Sequence, residues 1–192
     1  MILVRGGAAI VGTALLATAM WLYSVRPGVQ AEELEPIRTE GRVGAVVSTR
    51  DFRVRVDRVV AARSLRSTLG APERTEGIFL VVGFQAMSMK EPLTLQSVVL
   101  ETPGGLTFRP GPRTGVSAPT ANDYQPMIWS RSSYVFELPR KAVTGARLVV
   151  GTGGLLPQLS AAADIDLGLT GAKAAALLRG AAEGYDPRAA RP

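Results

Sequence analysis

Apolar residues recur along this chain in three rhythms, and each predicts a different structure. Gly6 to Val25, between Arg5 and Arg26, contains no charged residue. A helix of that length, rising about 1.5 Å per residue, matches the roughly 30 Å hydrocarbon core of a bilayer. Trp21 and Tyr23 stand at its end, where amphipathic rings favour the membrane interface. Arg26 and Pro27 then stop it. Residues 1–26 are therefore read as a transmembrane anchor, with residues 6–25 in the membrane. Arg5 and the terminal amine hold the N-terminus inside and place the rest of the chain outside. A signal peptide cleaved near Ala31, after the small-residue pattern Val29-Gln30-Ala31, is the alternative. The run is longer than the roughly 7 to 15 apolar residues of a signal core, which favours the anchor. Both readings export the remainder.

Residues 27–41, with Pro27, Gly28, Pro36, Gly41 and four glutamates, show no apolar period and read as a linker. From Arg42 the rhythm becomes that of short strands. Val43 to Ser48 is the first. Phe52, Val54 and Val56 alternate with Arg53, Arg55 and Asp57, a period of two with one buried face. Val59 and Val60 break the parity and predict a bulge or bend there. After a polar loop, Arg63 to Gly77, the β-branched run Ile78 to Phe84 predicts a central strand. Strands at Leu93–Glu101 and Leu106–Arg109 flank Thr102-Pro103-Gly104-Gly105, where proline presets φ and glycine accepts φ > 0. A long loop, Pro110 to Tyr124, leads to a short edge strand at Met127–Trp129. Further strands come at Tyr134–Leu138, Ala146–Val150 and Ala162–Leu167. About seven to nine short strands over residues 42–168 predict an all-β sandwich, with a small barrel as the alternative. The third rhythm is helical: within residues 169–192, Gly171 to Ala182 comes after Thr170 as N-cap, and a loose tail runs from Glu183 to Pro192.

Composition narrows the chemistry. At 46% hydrophobic and 20% charged residues, the chain has material for a packed core. All but three of its 22 basic residues are arginine, the habit of a GC-rich bacterial genome. It has no histidine and no cysteine, which excludes Ser-His-Asp and Cys-His catalysis, His- or Cys-ligated zinc, disulfides and an acylated lipoprotein cysteine. A net charge of +6 favours anionic surfaces. Nucleic acid is the other usual partner of a basic chain, and an outward-facing domain does not meet it.

The order of motifs resembles a known family. FRVRVDRVV at Phe52–Val60 leads to GIFLVVGFQAMS at Gly77–Ser88, then a proline-marked strand at Leu93–Leu100 and LTFRP after a glycine turn; YVFELP at Tyr134–Pro139 and ARLVVG at Ala146–Gly151 come later. This resembles the actinobacterial-type, Gram-positive extracytoplasmic immunoglobulin-like domains of unknown function, to which the mycobacterial secreted immunoprotective antigen is related in fold. The resemblance spans residues 42–168. It implies an immunoglobulin-like sandwich held at the cell envelope and brings no shared catalytic residues. The chain departs from the family in lacking a lipoprotein cysteine, which leaves the helix as the anchor.

Candidate chemistry is sparse. Asp164 and Asp166 share a strand face in the manner of a metal-binding pair, though a solvated face is the better reading. Ser88 and Lys90 lack the Ser-x-x-Lys spacing, and Gly151-Thr152-Gly153-Gly154 lacks the lysine of a phosphate loop. No catalytic residue, cofactor or metal ligand is assigned. Six arginines crowd between Arg50 and Arg66; of these Arg53, Arg55 and Arg58 are the candidate anion contacts, since guanidinium grips phosphate bidentately. Met127, Ile128 and Trp129 are the candidate protein contact if exposed, and core if not. The expectation is a non-enzymatic, membrane-anchored extracytoplasmic interaction module, an accessory partner of another envelope or membrane protein. The alternative is a binder of anionic lipid or cell-wall polymer through the arginine face.

Overall fold

A computed structural model of the chain describes residues 16–18, 20, 21, 36–66, 71–111, 123–153 and 160–186. Contacts divide the chain between Glu35 and Pro36. In the first unit residues 16–18, 20 and 21 are helical, with Leu16, Met20 and Trp21 exposed. Among the described residues no helix is long and apolar enough to cross a membrane. Most of the expected span, and the Ala31 cleavage position, lie outside the described residues.

The second unit is a β-sandwich. Its strands are β1 (Ile37–Arg42), β2 (Val46–Ser48), β3 (Phe52–Leu65), β4 (Glu73–Ser88), β5 (Leu93–Thr94), β6 (Ser97–Glu101), β7 (Thr107–Phe108), β8 (Asp123–Tyr124), β9 (Ser130–Leu138), β10 (Arg147–Gly151) and β11 (Ala161–Asp166). One sheet has the order β1-β11-β10-β6-β7, the other β2-β3-β4-β9, and β5 pairs with β8 alone. β1 runs parallel to β11, and the other ladders are antiparallel. Period two explains the core. Phe52, Val54 and Val56 of β3, Ile78, Leu80, Val82 and Phe84 of β4, and Tyr134, Phe136 and Leu138 of β9 share one core with Leu100, Leu148, Val150, Ala163 and Ile165 of the other sheet. Full burial of each large side chain contributes about 1.5–3 kcal/mol. The C-terminal helix, Gly171–Arg179, lays Ala174, Leu177 and Leu178 on this core.

Several expectations need correction. The described residues hold eleven strands rather than seven to nine: β1 and the two-residue β8 are unexpected, and the strand expected at Leu93–Glu101 divides into β5 and β6. The expected linker 27–41 overlaps β1, which begins at Ile37. β1 is an edge strand with no buried side chain, so its sequence has no apolar period to detect; backbone pairing to β11 makes it a strand. The strand expected at Val43 begins at Val46, since Val43–Ala45 form a turn in which Gly44 has φ 84°. The bulge lies between Val56 and Arg58, upstream of Val59 and Val60, and a second lies between Ala62 and Ser64. The described ends of the supposed polar loop Arg63–Gly77 belong to β3 and β4, where Ser64 pairs with Arg74 and Leu65 with Glu73. Met127–Trp129 is a turn rather than a strand. The helix stops at Arg179, with Gly180 next, instead of reaching Ala182. Residues to Asp186 of the supposedly loose tail are placed, with Tyr185 bridged to Leu65.

Candidate functional site

The Met127–Ile128–Trp129 turn hangs from the end of β4. Ser88 donates its amide to Gln125 O (3.3 Å) and accepts from the Met127 amide (3.1 Å), while Pro126 bridges to Ser88. Ile128 N closes the turn on Gln125 O at 3.4 Å. This geometry forces Met127 to φ 60°, a left-handed backbone that L side chains adopt at a cost of about 1–3 kcal/mol. The three side chains are 64%, 59% and 41% exposed, so they are not core. Large apolar groups held together in water on a strained turn make a surface suited to contact. The β2–β3 turn sits beside it, with Met89 N donating to Asp51 O at 2.9 Å and Arg50 paired to Asp51 at 3.1 Å.

The bulge at Asp57 decides where the arginines go. In an unbroken strand Arg58 would face opposite to Arg53 and Arg55. The extra residue resets parity, so Arg58 lies across Gly83 on the outer face that Arg53 and Arg55 share. Two of the three are already engaged: Arg55 Nε meets Asp57 at 2.8 Å, and an Arg58 amine donates to the Tyr185 hydroxyl at 3.1 Å. Arg53 lies half-buried opposite Met87, its Nε buried without a partner among the described residues. Asp57 and Tyr185 thus occupy groups that an anion would need.

The acidic pair of β11 is also spoken for. Asp164, buried, accepts from Arg147 Nε at 2.8 Å and faces Arg38 at 3.8 Å; Arg38 forks onto Glu101 at 2.8 and 3.1 Å. The carboxylate of Asp164 holds the Arg147 guanidinium above its ordinary pKa, chiefly through that hydrogen bond. Asp166 accepts from the Gly168 amide at 2.7 Å. This is an ionic lacing of strands. Among the described residues no three potential ligands cluster for a metal. Ser88 is fully buried and Lys90 exposed, so they form no dyad. Burial pushes the Tyr124 and Tyr134 phenols up, keeping both neutral beside Phe84, whose ring stacks on Tyr134 at 5.2 Å.

Two features escaped the sequence reading. One is an open cleft of about 790 Å³ where β4 begins and β9 ends, lined by Arg74, Thr75, Gly77, Phe108, Glu137 and Arg140 among others. Thr75 Oγ1 donates to Glu137 at 2.7 Å within it. Its residues come from three separated segments, and no local motif announces it. The other is the C-terminal segment from Ala182 to Tyr185, which pairs with β3. It is four residues long, and its two packed side chains, Ala182 and Tyr185, stand three apart, so no strand period marks it.

No family model and no curated protein matches the chain. Among solved structures it is similar to a conserved hypothetical protein of Bacillus anthracis, at 19% identity over 57% of this chain and 87% of that one, with a TM-score of 0.43. It is also similar to an uncharacterised β-sandwich protein of Clostridium difficile, at 7% identity over 68% of this chain and 95% of that one, with a TM-score of 0.40.

Proposed function

We propose that this chain is a non-enzymatic interaction module, anchored in the bacterial cytoplasmic membrane by residues 6–25 with its immunoglobulin-like sandwich outside. It serves as an accessory partner of another envelope or membrane protein, which it meets through Met127, Ile128 and Trp129. The observation that carries this reading is the exposure of those three side chains on one turn. Tryptophan and its apolar neighbours are the side chains that anchor protein interfaces once water is excluded. The charge-free run before Arg26 supports the anchor. The family resemblance of residues 42–168 supports the envelope location.

The test is co-purification of the full chain from gently solubilised membranes, with Trp129→Ala and Ile128→Glu beside it. Truncating a tryptophan at the centre of an interface to alanine weakens binding by about 2 kcal/mol or more, roughly thirtyfold in Kd. Both variants should lose a partner that the unaltered chain retains in stoichiometric amount. A chain that runs alone in several mild detergents, or variants that keep the partner, would defeat the proposal.

A second reading, binding of anionic lipid or wall polymer by Arg53, Arg55 and Arg58, is favoured by the bulge that aligns them. Replacing Arg53 and Arg55 with glutamate should then abolish sedimentation with anionic vesicles or wall fragments, and unchanged sedimentation removes it.

A further inference from the structure

β2 covers only part of the edge of β3. Its ladder spans Arg53 to Arg55, whereas β3 continues to Leu65. The lower edge is filled by the chain's own C-terminal segment. Ala182 N donates to Ala61 O (2.9 Å), Arg63 N to Ala182 O (2.8 Å), Tyr185 N to Ser64 O (2.9 Å) and Arg66 N to Tyr185 O (2.8 Å). The segment thus runs parallel to β3, held to it by two isolated bridges, Ala62–Ala182 and Leu65–Tyr185.

Side chains give the pairing a pattern. Ala182 and Tyr185 pack on a second apolar cluster formed by Ala62, Leu65, Phe79, Val81 and Val135. Glu183 pairs with Arg63, and the Tyr185 hydroxyl accepts from Arg58. A β-carbon at Gly184 would stand 3.6 Å from Arg66 Nε, an ordinary contact, so that position accepts a side chain. The edge therefore selects a small residue, then an acidic one, then any residue, then tyrosine.

We infer that the lower edge of β3 is a strand-addition site for an extended segment of another protein, acidic and tyrosine-bearing, and that residues 182–185 are its occupant in cis. Backbone bonds of this kind supply affinity to any extended chain, and the side-chain positions supply selectivity. Here the selectivity is electrostatic: the cationic side chains Arg58, Arg63 and Arg66 border the ladder, and the occupant brings Glu183. A covalently attached occupant acts at an effective concentration on the order of millimolar, so it keeps the edge closed against weak competitors. It also hides an edge that would otherwise template aggregation. This site is independent of the Met127 turn and of the membrane anchor.

The test uses the full chain in mild detergent and a fluorescein-labelled peptide of residues 181–186. Ala182→Pro removes the amide that donates to Ala61 and frees the edge. Fluorescence anisotropy should show the peptide binding Ala182→Pro at least about tenfold more tightly than the unaltered chain, the gap set by the tethered competitor. A peptide with lysine for its glutamate and alanine for its tyrosine should bind at least about tenfold more weakly than the native one. A folded Ala182→Pro chain that ignores the native peptide, or that takes both peptides equally, overturns the inference. Should that variant fail to fold, amide exchange on the unaltered chain decides. The Arg63 and Arg66 amides should exchange at least about a hundredfold faster than those of Val81 and Val82, because the segment opens without the sheet. Equal protection overturns the inference, since the edge is then never presented. An unaltered chain that forms dimers by exchanging tails would give the edge to a second copy and overturn the choice of a different protein.

Discussion

Gly77 offers a direct test of how tightly β4 and β9 are drawn together above the cleft. A β-carbon placed on it would lie 2.4 Å from the carbonyl oxygen of Leu138, 3.1 Å from its carbonyl carbon and 3.5 Å from Pro139 Cα. The obstacles are backbone atoms, so no rotamer change relieves them. Gly77 is not among the glycines with positive φ, so the penalty of alanine is wholly steric. The end of β9 must retreat by about 1 Å to restore contact distance, straining the Ile78–Leu138 pair and shifting a buried leucine. Overpacking of that kind costs about 1–3 kcal/mol. Gly171 is the internal control. It opens the C-terminal helix with nothing within 4 Å of the added carbon, so alanine there stabilises by about 0.5–1 kcal/mol through reduced backbone entropy. Urea denaturation of the full chain in detergent, monitored by far-UV circular dichroism, reads both. With a slope of about 2 kcal/mol per molar urea, Gly77→Ala should lower the midpoint by about 0.5–1.5 M, while Gly171→Ala raises it slightly. If Gly77→Ala leaves the midpoint where it was, the close approach of the two backbones is not real, and the cleft beside it loses its wall.

Three further substitutions probe other links. Met127→Gly removes the left-handed strain and should raise thermal stability by about 1 kcal/mol while weakening partner capture; a fall in stability would show that the Met127 side chain serves the fold instead. Asp164→Asn leaves Arg147 and Arg38 facing an uncharged group and should cost about 1–2 kcal/mol, less than a fully buried pair because both guanidiniums are partly solvated. A double-mutant cycle with Arg147→Ala that shows no coupling would remove the lacing as a source of stability. The raised phenol pKa of Tyr124 means that its contribution is fully present below about pH 10, where unfolded tyrosine ionises, and is lost as pH rises above that. Alkaline titration should therefore unfold the chain as tyrosinate absorbance grows, and Tyr124→Phe should make the decline shallower; an identical decline in that variant would contradict the assignment.

Legibility in the sequence depends on the information that period two carries. It reports a strand with one face on a core, which is why Phe52–Val56 stands out from sequence alone, whereas Ile78–Phe84, buried on both faces, stands out as an unbroken β-branched apolar run. It is silent where backbone pairing alone makes the strand. β1 has no buried side chain, and at the far end of the β3–β4 hairpin the pairing of Ser64 with Arg74 and Leu65 with Glu73 resumes only past a bulge. The same silence hides the C-terminal segment, whose place depends on an edge left open more than a hundred residues earlier in the chain.

The candidate contacts divide for a related reason. Whether Met127, Ile128 and Trp129 are core or surface depends on the turn that Ser88 imposes through its backbone, which no side chain in the triplet encodes. Whether the arginines form an open patch depends on one bulge that gathers them and on Asp57 and Tyr185, which then occupy two of them. Tyr185 reaches Arg58 only while the C-terminal segment stays paired. Release of that segment would therefore free the Arg58 guanidinium at the same moment as the β3 edge. A segment that displaced residues 182–185 would meet both the open ladder and an unpaired cation. That coupling gives an acidic, tyrosine-bearing strand its advantage over a neutral one, because the backbone bonds are common to every competitor and the cation is not.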